Sequence, residues 1–530
     1  MWICNGIPQN SKKYAVVKAH SPCNNYGSEC KVCGLPQESC VKAKPILPIS
    51  PAIAVSVAAG VTLLVGIGLF PFKSKSCLGG RITIDGVCEM PVNSISNQAA
   101  SKIRNYSWET TRFNWGQRTL FSGEINVPRN KGIKLFRAGK YAEAASWFKR
   151  AIAGNRNDPE VVILYNNALA RMRGNPFTLA AVVPVDNNQQ SAREILRGVA
   201  QAQAEFNQER GLENRLLEIV IANDGNEPEN STKVAEQLVA DRSILGVIGH
   251  NSSNASQAGL KVYENAGLAM ISPTSTSTSL NSNYFFRTSP SDAASGVKLA
   301  QYVFQQLRLE RAVIFYNPDS SYSSSLKTAF QNHFEELGGK SFTKNIADSN
   351  LKPKIAIANS IVKDGVRAGL LFPNTEYISV AIEIARANAN LPASKRLKLL
   401  SGDSLYSSET LAAGGESIEE LVLAVPWFAG AAKSPMFNQA AANRWGGSVN
   451  WRTAMSFDAT QSFIKALKSA DSRNAVFKNL QNIELENGET SGNKLAFSDR
   501  GERQGEPVLV KVTKGGVRPS NSKYGYSLIE

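Results

Sequence analysis

Between residue 177 and residue 530, short apolar runs alternate with segments of helical spacing, and this alternation restricts the fold more than any other feature. Leu179–Pro184, Leu217–Ala222, Ile244–Ile248, Leu268–Ile271, Ala312–Tyr316, Ala368–Phe372, Leu397–Leu400 and Leu421–Pro426 read as strands. Helical patterns fall between them, as in Ala192–Phe206, Val234–Ala240, Gly296–Gln306, Ser324–Leu337 and Ser379–Ala389. Regular β–α alternation joins parallel strands by crossover helices, so the expected class is α/β, with two doubly wound parallel-sheet lobes and a hinge. A ligand in the cleft between such lobes is the expected design.

Two of these strands run directly into hydroxyl-bearing residues. Ile244–Ile248 leads to Ser252 and Ser253, and Leu268–Ile271 leads to Thr274, Ser275 and Thr276. In open parallel sheets, ligands sit outside the carboxyl ends of the strands. Hydroxyls and free backbone N–H groups at two neighbouring strand ends hold a small carboxylate without Lys or Arg. The bland alternative is a pair of solvated turns. His250, just before the hydroxyl cluster, reads as structural.

Charge is unevenly distributed. Residues 1–176 hold 23 of the 59 Lys and Arg and 9 of the 44 Asp and Glu, so +14 of the net +15 lies there and the remainder is close to neutral. A broad basic field is therefore absent from the α/β region, which argues against nucleic acid as its partner; the basic excess suits anionic lipid or solvation. Pro45 to Phe72 contains no charged residue, and Ile53 to Phe70 is almost wholly apolar, as expected for one transmembrane helix at 45–72. A cleaved signal peptide is the rival; the long polar stretch before it and the missing cleavage pattern favour an uncleaved anchor. Six Lys precede the span and three basic residues closely follow it, a weak lean toward a cytosolic amino terminus and an extracytoplasmic carboxyl-terminal region at the inner (plasma) membrane.

All seven Cys lie in the first 88 residues. Cys23, Cys30, Cys33 and Cys40 form a C-x6-C-x2-C-x6-C array within the segment 1–44, four thiolates that suit a structural zinc site; free thiols in a tail are the alternative, and Cys4 or His20 are substitute ligands. Cys77 and Cys88 flank a hairpin-like stretch in a linker assigned to 73–128, where an oxidising environment favours a disulfide. Residues 129–174 carry small and aromatic residues, Gly132, Tyr141, Ala144, Phe148 and Ala151, in a pattern that resembles one tetratricopeptide repeat, followed by a helix opened by Asp158-Pro159. One repeat is too short for a solenoid, so it either packs on a neighbour or offers a docking surface; a plain helical spacer is the alternative.

Residues 177–530 resemble the type I periplasmic solute-binding proteins of ABC transporters, in the branch that binds leucine, isoleucine and valine. The resemblance rests on Ile219–Asp224, Val247–His250 with Ser252-Ser253, Met270–Pro273, Tyr322 after Tyr316-Asn-Pro, Ser401-Gly-Asp403 and Ala454–Asp458. It implies that Ser253 with Thr274, Ser275 and Thr276 clamps a carboxylate, that Asp403 pairs with an ammonium, and that Tyr322 covers the ligand. Asp403 as a helix cap, Tyr322 as ordinary surface and Trp427 as core rather than hinge are the competing readings. The resemblance further implies ABC permease subunits as partners, a small carboxylate such as an amino acid as ligand, and no cofactor in this region; the combined layout is similar to cyanobacterial forms. The loops Val185–Ser191 and Phe372–Glu376 are polar, which suits a smaller or more polar solute than leucine. A ligand-sensing receptor ectodomain is the alternative function. An enzyme is not expected, since there are three His and no nucleophile elbow, phosphate loop or dinucleotide fingerprint.

Overall fold

The computed structural model describes Trp2–Cys4, Cys23–Asn25, Ile82–Ile84, Val87–Glu89 and residues 111–530 with breaks at 122, 124, 432–434, 519–521 and 530. It divides into two compact units, 1–103 and 104–530. In the first unit, β1 (Trp2–Cys4) pairs antiparallel with β2 (Cys23–Asn25), setting Cys4 opposite Cys23. There too β3 (Ile82–Ile84) pairs antiparallel with β4 (Val87–Glu89), within the stretch read as hairpin-like. Cys30, Cys33, Cys40, Cys77 and the apolar stretch 45–72 lie outside the described residues. No helix among the described residues is long and apolar enough to cross a membrane.

The second unit begins earlier than the sequence pattern implies. Residues 111–121 belong to the linker assigned to 73–128, yet β5 (Phe113–Asn114) adds antiparallel to the edge of the first lobe's sheet. Glu160 holds this segment, accepting from Asn114 Nδ2 at 2.8 Å and Leu120 N at 2.7 Å. Three helices follow: α1 (Val127–Arg137), α2 (Tyr141–Gly154) and α3 (Pro159–Arg173). Gly132 lets α1 approach α2, because a Cβ there would sit 2.6 Å from the Phe148 ring. Asp158 caps α3 by accepting from Val161 N at 3.2 Å, with Pro159 in its first turn. α3 packs on the first lobe: Asn167 both donates to Ile219 O at 2.7 Å and accepts from Ile219 N at 2.9 Å. The helical segment is thus built into the lobe's flank.

The first lobe comprises β6 (Phe177–Val183), α4 (Gln189–Gln208), β7 (Leu217–Asn223), α5 (Pro228–Ala240), β8 (Ile244–Ile248), α6 (Ser253–Asn265), β9 (Met270–Ser272) and β10 (Phe285–Arg287). Its sheet runs β10-β9-β8-β6-β7-β5, parallel throughout except for β5. The strand order reverses between β7 and β8 on either side of β6, which opens a crevice at the carboxyl ends of β6 and β8.

The second lobe comprises α7 (Asp292–Gln301), β11 (Arg311–Tyr316), α8 (Ser321–Glu336), β12 (Lys340–Asn345), α9 (Pro353–Val362), β13 (Ala368–Phe372), α10 (Ile378–Ala389), β14 (Lys398–Ser401), α11 (Ser408–Gly414) and β15 (Val422–Val425). Its sheet is completed by two carboxyl-terminal strands, Val508–Lys514 and Tyr524–Leu528, both antiparallel. The parallel expectation therefore holds for the centre of each sheet, and antiparallel strands close one edge of each. Between them the chain returns to the first lobe, where α12 (Pro435–Trp445) and α13 (Trp451–Ala466) lie against α4. Gly198 makes the α4–α13 approach possible, since a Cβ there would overlap the Thr453 carbonyl. The crossing strands are pinned by a buried ion pair, Arg503 Nη1 to Asp458 Oδ2 at 2.6 Å, with Arg503 also donating to Thr288 O at 3.1 Å. Trp427 is buried core, and its Nε1 donates to Ser491 O at 3.0 Å.

Candidate functional site

The first wall of the cleft is the β8–α6 corner. Ser252 caps α6 by accepting from Ala255 N at 3.2 Å, so the helix begins with its amino end toward the crevice. Ser253 is buried and accepts from Ser277 N at 3.3 Å, which leaves its O–H free to donate. The hydroxyls after β9 divide into two kinds. Ser272, Thr274 and Ser275 all donate to the His250 carbonyl, at 3.0, 3.3 and 3.3 Å, and Thr274 also donates to Asn251 O at 2.8 Å. Ser275 further meets the Ser256 hydroxyl at 2.7 Å. These groups tie one loop to the other. Thr274 and Ser275, expected as clamp hydroxyls, thus donate to backbone carbonyls of the neighbouring loop. Thr276 differs: it is 3% exposed and its hydroxyl has no hydrogen-bond partner.

His250 is the post behind this corner. Its Nδ1 lies 2.7 Å from Asp224 Oδ2 and its Nε2 3.0 Å from the Tyr263 hydroxyl, and all three residues are fully buried. Burial alone would raise the Asp224 carboxyl; the hydrogen bond and charge of His250, with Asn226 N–H and the Ser231 hydroxyl, outweigh it and hold the acid below its ordinary value. Arg287 supports the same loop from beneath, donating to Ser275 O at 3.2 Å and Ser277 O at 3.0 Å.

The second wall comes from the ends of β14 and β11 and the start of α7, joined by the first turn of α13, which reaches it from the first lobe. Asp403 opens a short 3-10 turn after β14 and is 8% exposed. Burial lifts its carboxyl to about 6, opposed by Arg452 and by the Tyr322 hydroxyl. Tyr322, in the first turn of α8, accepts from Ser404 N at 3.4 Å. Gly402 leaves room for that phenol, because a Cβ at Gly402 would collide with the Tyr322 oxygen. The geometry thus brings Tyr322 and Asp403 together.

Two residues of this wall were not singled out in the sequence. Asp292 opens α7 and is 1% exposed, with Oδ2 unpartnered. Burial pushes its carboxyl up to about 8; the nearby Thr276 hydroxyl eases this without completing a hydrogen bond, while Asp403 repels. Arg452, in the first turn of α13, is 7% exposed and lies over the Trp451 ring at 4.3 Å. Its Nη1 reaches Tyr406 O at 3.4 Å, and its Nε has no partner. Only Pro-Ser-Asp after a strand, for Asp292, offered a local signal.

The walls touch directly. Asn254 Oδ1 accepts from Ser321 N at 2.9 Å, Ser277 Oγ donates to Ser321 O at 3.1 Å, and Ser325 Oγ accepts from Thr278 N at 2.9 Å. Near α4, the Gln190 amide donates to Glu409 at 3.0 Å and its oxygen accepts from Ser408 at 2.5 Å. This is a closed arrangement, with a small recess of ≈ 20 Å³ lined by both lobes beside Ser404 and Arg452, room for about one water-sized group. Among the described residues there is no group of three or more His, Cys, Asp and Glu placed to hold a metal ion.

Residues 184–516 match the family model described as periplasmic binding protein. An amino acid binding protein from Pseudomonas aeruginosa is 28% identical over 156 residues, covering 29% of this chain and 41% of that protein. The Leu/Ile/Val-binding protein of Escherichia coli is 31% identical over 137 residues, covering 25% and 37%. The chain thus spans about two fifths of the length of these relatives. Among solved structures, a leucine binding protein from Thermotoga maritima superposes with TM-score 0.58 at 20% identity, covering 66% of this chain and 97% of its own. A branched-chain amino acid transporter substrate binding protein from Streptococcus pneumoniae, in complex with isoleucine, gives TM-score 0.57 at 17% identity, covering 67% and 99%. These relatives are solute-binding proteins, not enzymes. The chain belongs to the periplasmic binding protein family, with the type I fold of two parallel-sheet lobes.

Proposed function

We propose that this chain captures an amino acid or a similar small carboxylate between its lobes and, by closing on it, presents it to an ABC permease. The observation that carries the reading is the convergence at one closed cleft of the α6 amino end, the unpartnered Thr276 hydroxyl and two buried carboxyls, Asp292 and Asp403. The first two suit a carboxylate and the last two an ammonium. Closure over the solute follows from its bonds to both walls, which favour the closed state by the differential affinity. A thermal-shift panel of amino acids, amides and small carboxylates tests this: stabilisation by an amino acid is expected, and a folded protein stabilised by none contradicts it.

In this reading residues 45–72 anchor the chain in the membrane with the binding unit outside, and the array Cys23, Cys30, Cys33 and Cys40 holds zinc on the inner side. The tetratricopeptide-like helices then brace the binding lobe and are not a separate partner site, since α3 is hydrogen-bonded into it. The cysteine array ahead of the apolar stretch also suits a sensor that uses the same capture step. Uptake by cells expressing the chain without residues 1–44 separates the two: normal uptake supports transport, while normal binding with a lost response supports sensing.

A further inference from the structure

The solute's far end has its own chemistry in this cleft. The recess beside Asp403 is walled by Asn188 and Ser191 after β6, Thr375 after β13, Ser407, Asn450 and Arg452, and Ile378 is the one aliphatic side chain in its lining. Two of its acids are already engaged. Glu194 accepts from Arg197 at 2.5 Å and Thr453 Oγ1 at 2.6 Å, and Glu409 is bound by Gln190. Arg452 is not satisfied in the same way: its Nη1 contact is long, its Nε is unpartnered, and the neighbouring Ser404 hydroxyl is unpartnered too.

A guanidinium carries five donors and keeps its charge when buried. Covering it with a branched apolar side chain would remove water and return no hydrogen bond. The charge balance points the same way. Asp403 is the acid that acts most strongly on Arg452. An ammonium arriving at Asp403 takes up part of that attraction, and an oxygen at the other end of the same solute restores it.

We propose that this recess is a second ligand subsite that receives a carboxylate or carboxamide oxygen at the end of the solute's side chain, with Arg452 as the principal donor and Ser404 as the second. The inference rests on the capture reading and adds to it a departure from the branched apolar ligands named for the relatives. Solutes of glutamate or glutamine type share the required chemistry.

Isothermal titration calorimetry of the full-length protein with glutamate, glutamine and leucine, repeated with Arg452→Met, tests it. Glutamate or glutamine is expected to bind at least about tenfold more tightly than leucine, the scale of one charge-assisted hydrogen bond. Preference for glutamate identifies a carboxylate and preference for glutamine a carboxamide, and either supports the subsite. Arg452→Met should erase the preference. Ser404→Ala removes a hydroxyl that no protein group uses and should weaken the polar ligand alone, which keeps the test decisive if the arginine variant does not fold. Leucine binding tightest, with no response to either variant, overturns the subsite and leaves the capture reading standing. A folded protein that binds none of the three overturns both.

Discussion

The two walls of the cleft look alike in the chain, each a strand end followed by small polar residues, yet they use those residues differently. On the first wall most hydroxyls are spent on the protein: Ser272, Thr274 and Ser275 converge on one carbonyl, behind which His250 and Asp224 are locked together. On the second wall polar and charged groups stand incompletely satisfied: Asp292 Oδ2, Ser404 Oγ and Arg452 Nε have no partner. A wall whose polar groups satisfy one another is scaffold, whereas buried groups left without a partner need an explanation, and the proposed one is a bound solute. Thr276 is the exception on the first wall, its buried hydroxyl without a partner, and in the proposed reading it is the group that meets the solute.

The largest expected effect lies in the second wall's response to pH. Asp292 and Asp403 sit at about 8 and about 6, above the ordinary 3.8, so the folded chain holds protons that the unfolded chain has released. The contribution of these two acids to the stability of the ligand-free protein is therefore full below about pH 4 and is lost as pH rises through about 6 and about 8. Urea unfolding across that range should show the decline, and Asp292→Asn should flatten its upper part. An unchanged slope in that variant would remove the buried acid from the account.

Next is the post behind the first wall. His250→Ala leaves Asp224 buried with only the Asn226 N–H and the Ser231 hydroxyl to hold it, and should cost about 3–5 kcal/mol in urea unfolding. A loss below about 1 kcal/mol would show that the corner does not depend on the pair.

Asp403→Asn should weaken an ammonium-bearing ligand by about 2–5 kcal/mol in calorimetry. In the unsubstituted protein, affinity for such a ligand should also fall as pH drops below about 6.

The smallest contrast is between two neighbouring threonines. Thr274→Val should lower stability by about 1 kcal/mol with little change in affinity, because its bonds are internal. Thr276→Val should lower affinity by about 1 kcal/mol and change unfolding less than Thr274→Val does, since no hydrogen bond to a backbone carbonyl is lost. Exchange of these two outcomes would invert the assignment of scaffold and contact.

Much of the architecture is legible because it is local. The strands Ile244–Ile248 and Ala368–Phe372 end where their apolar runs end, and the crossover helices follow from spacing. Strand β5 escapes such reading because two residues, Phe113 and Asn114, carry no period; pairing with β7 and the reach of Glu160 create it. Among site residues, Asp403 and Tyr322 stand next to recognisable strand ends. Arg452 sits in the first turn of a helix whose sequence looks like ordinary core, and it reaches Asp403 through the return of the chain across the lobes. The roles of Thr274 and Thr276 depend on where carbonyls lie after the loops close, which no pattern of hydroxyls encodes.

The central claim is that the solute's ammonium rests on the second wall, at Asp403. Calorimetry of the full-length protein and of Asp403→Asn should compare an amino acid that binds with its analogue carrying a hydroxyl in place of the amino group. The account predicts that the unsubstituted protein discriminates strongly against the analogue and that Asp403→Asn loses most of this discrimination. Equal binding of both by the unsubstituted protein, or full discrimination kept by the variant, would contradict it.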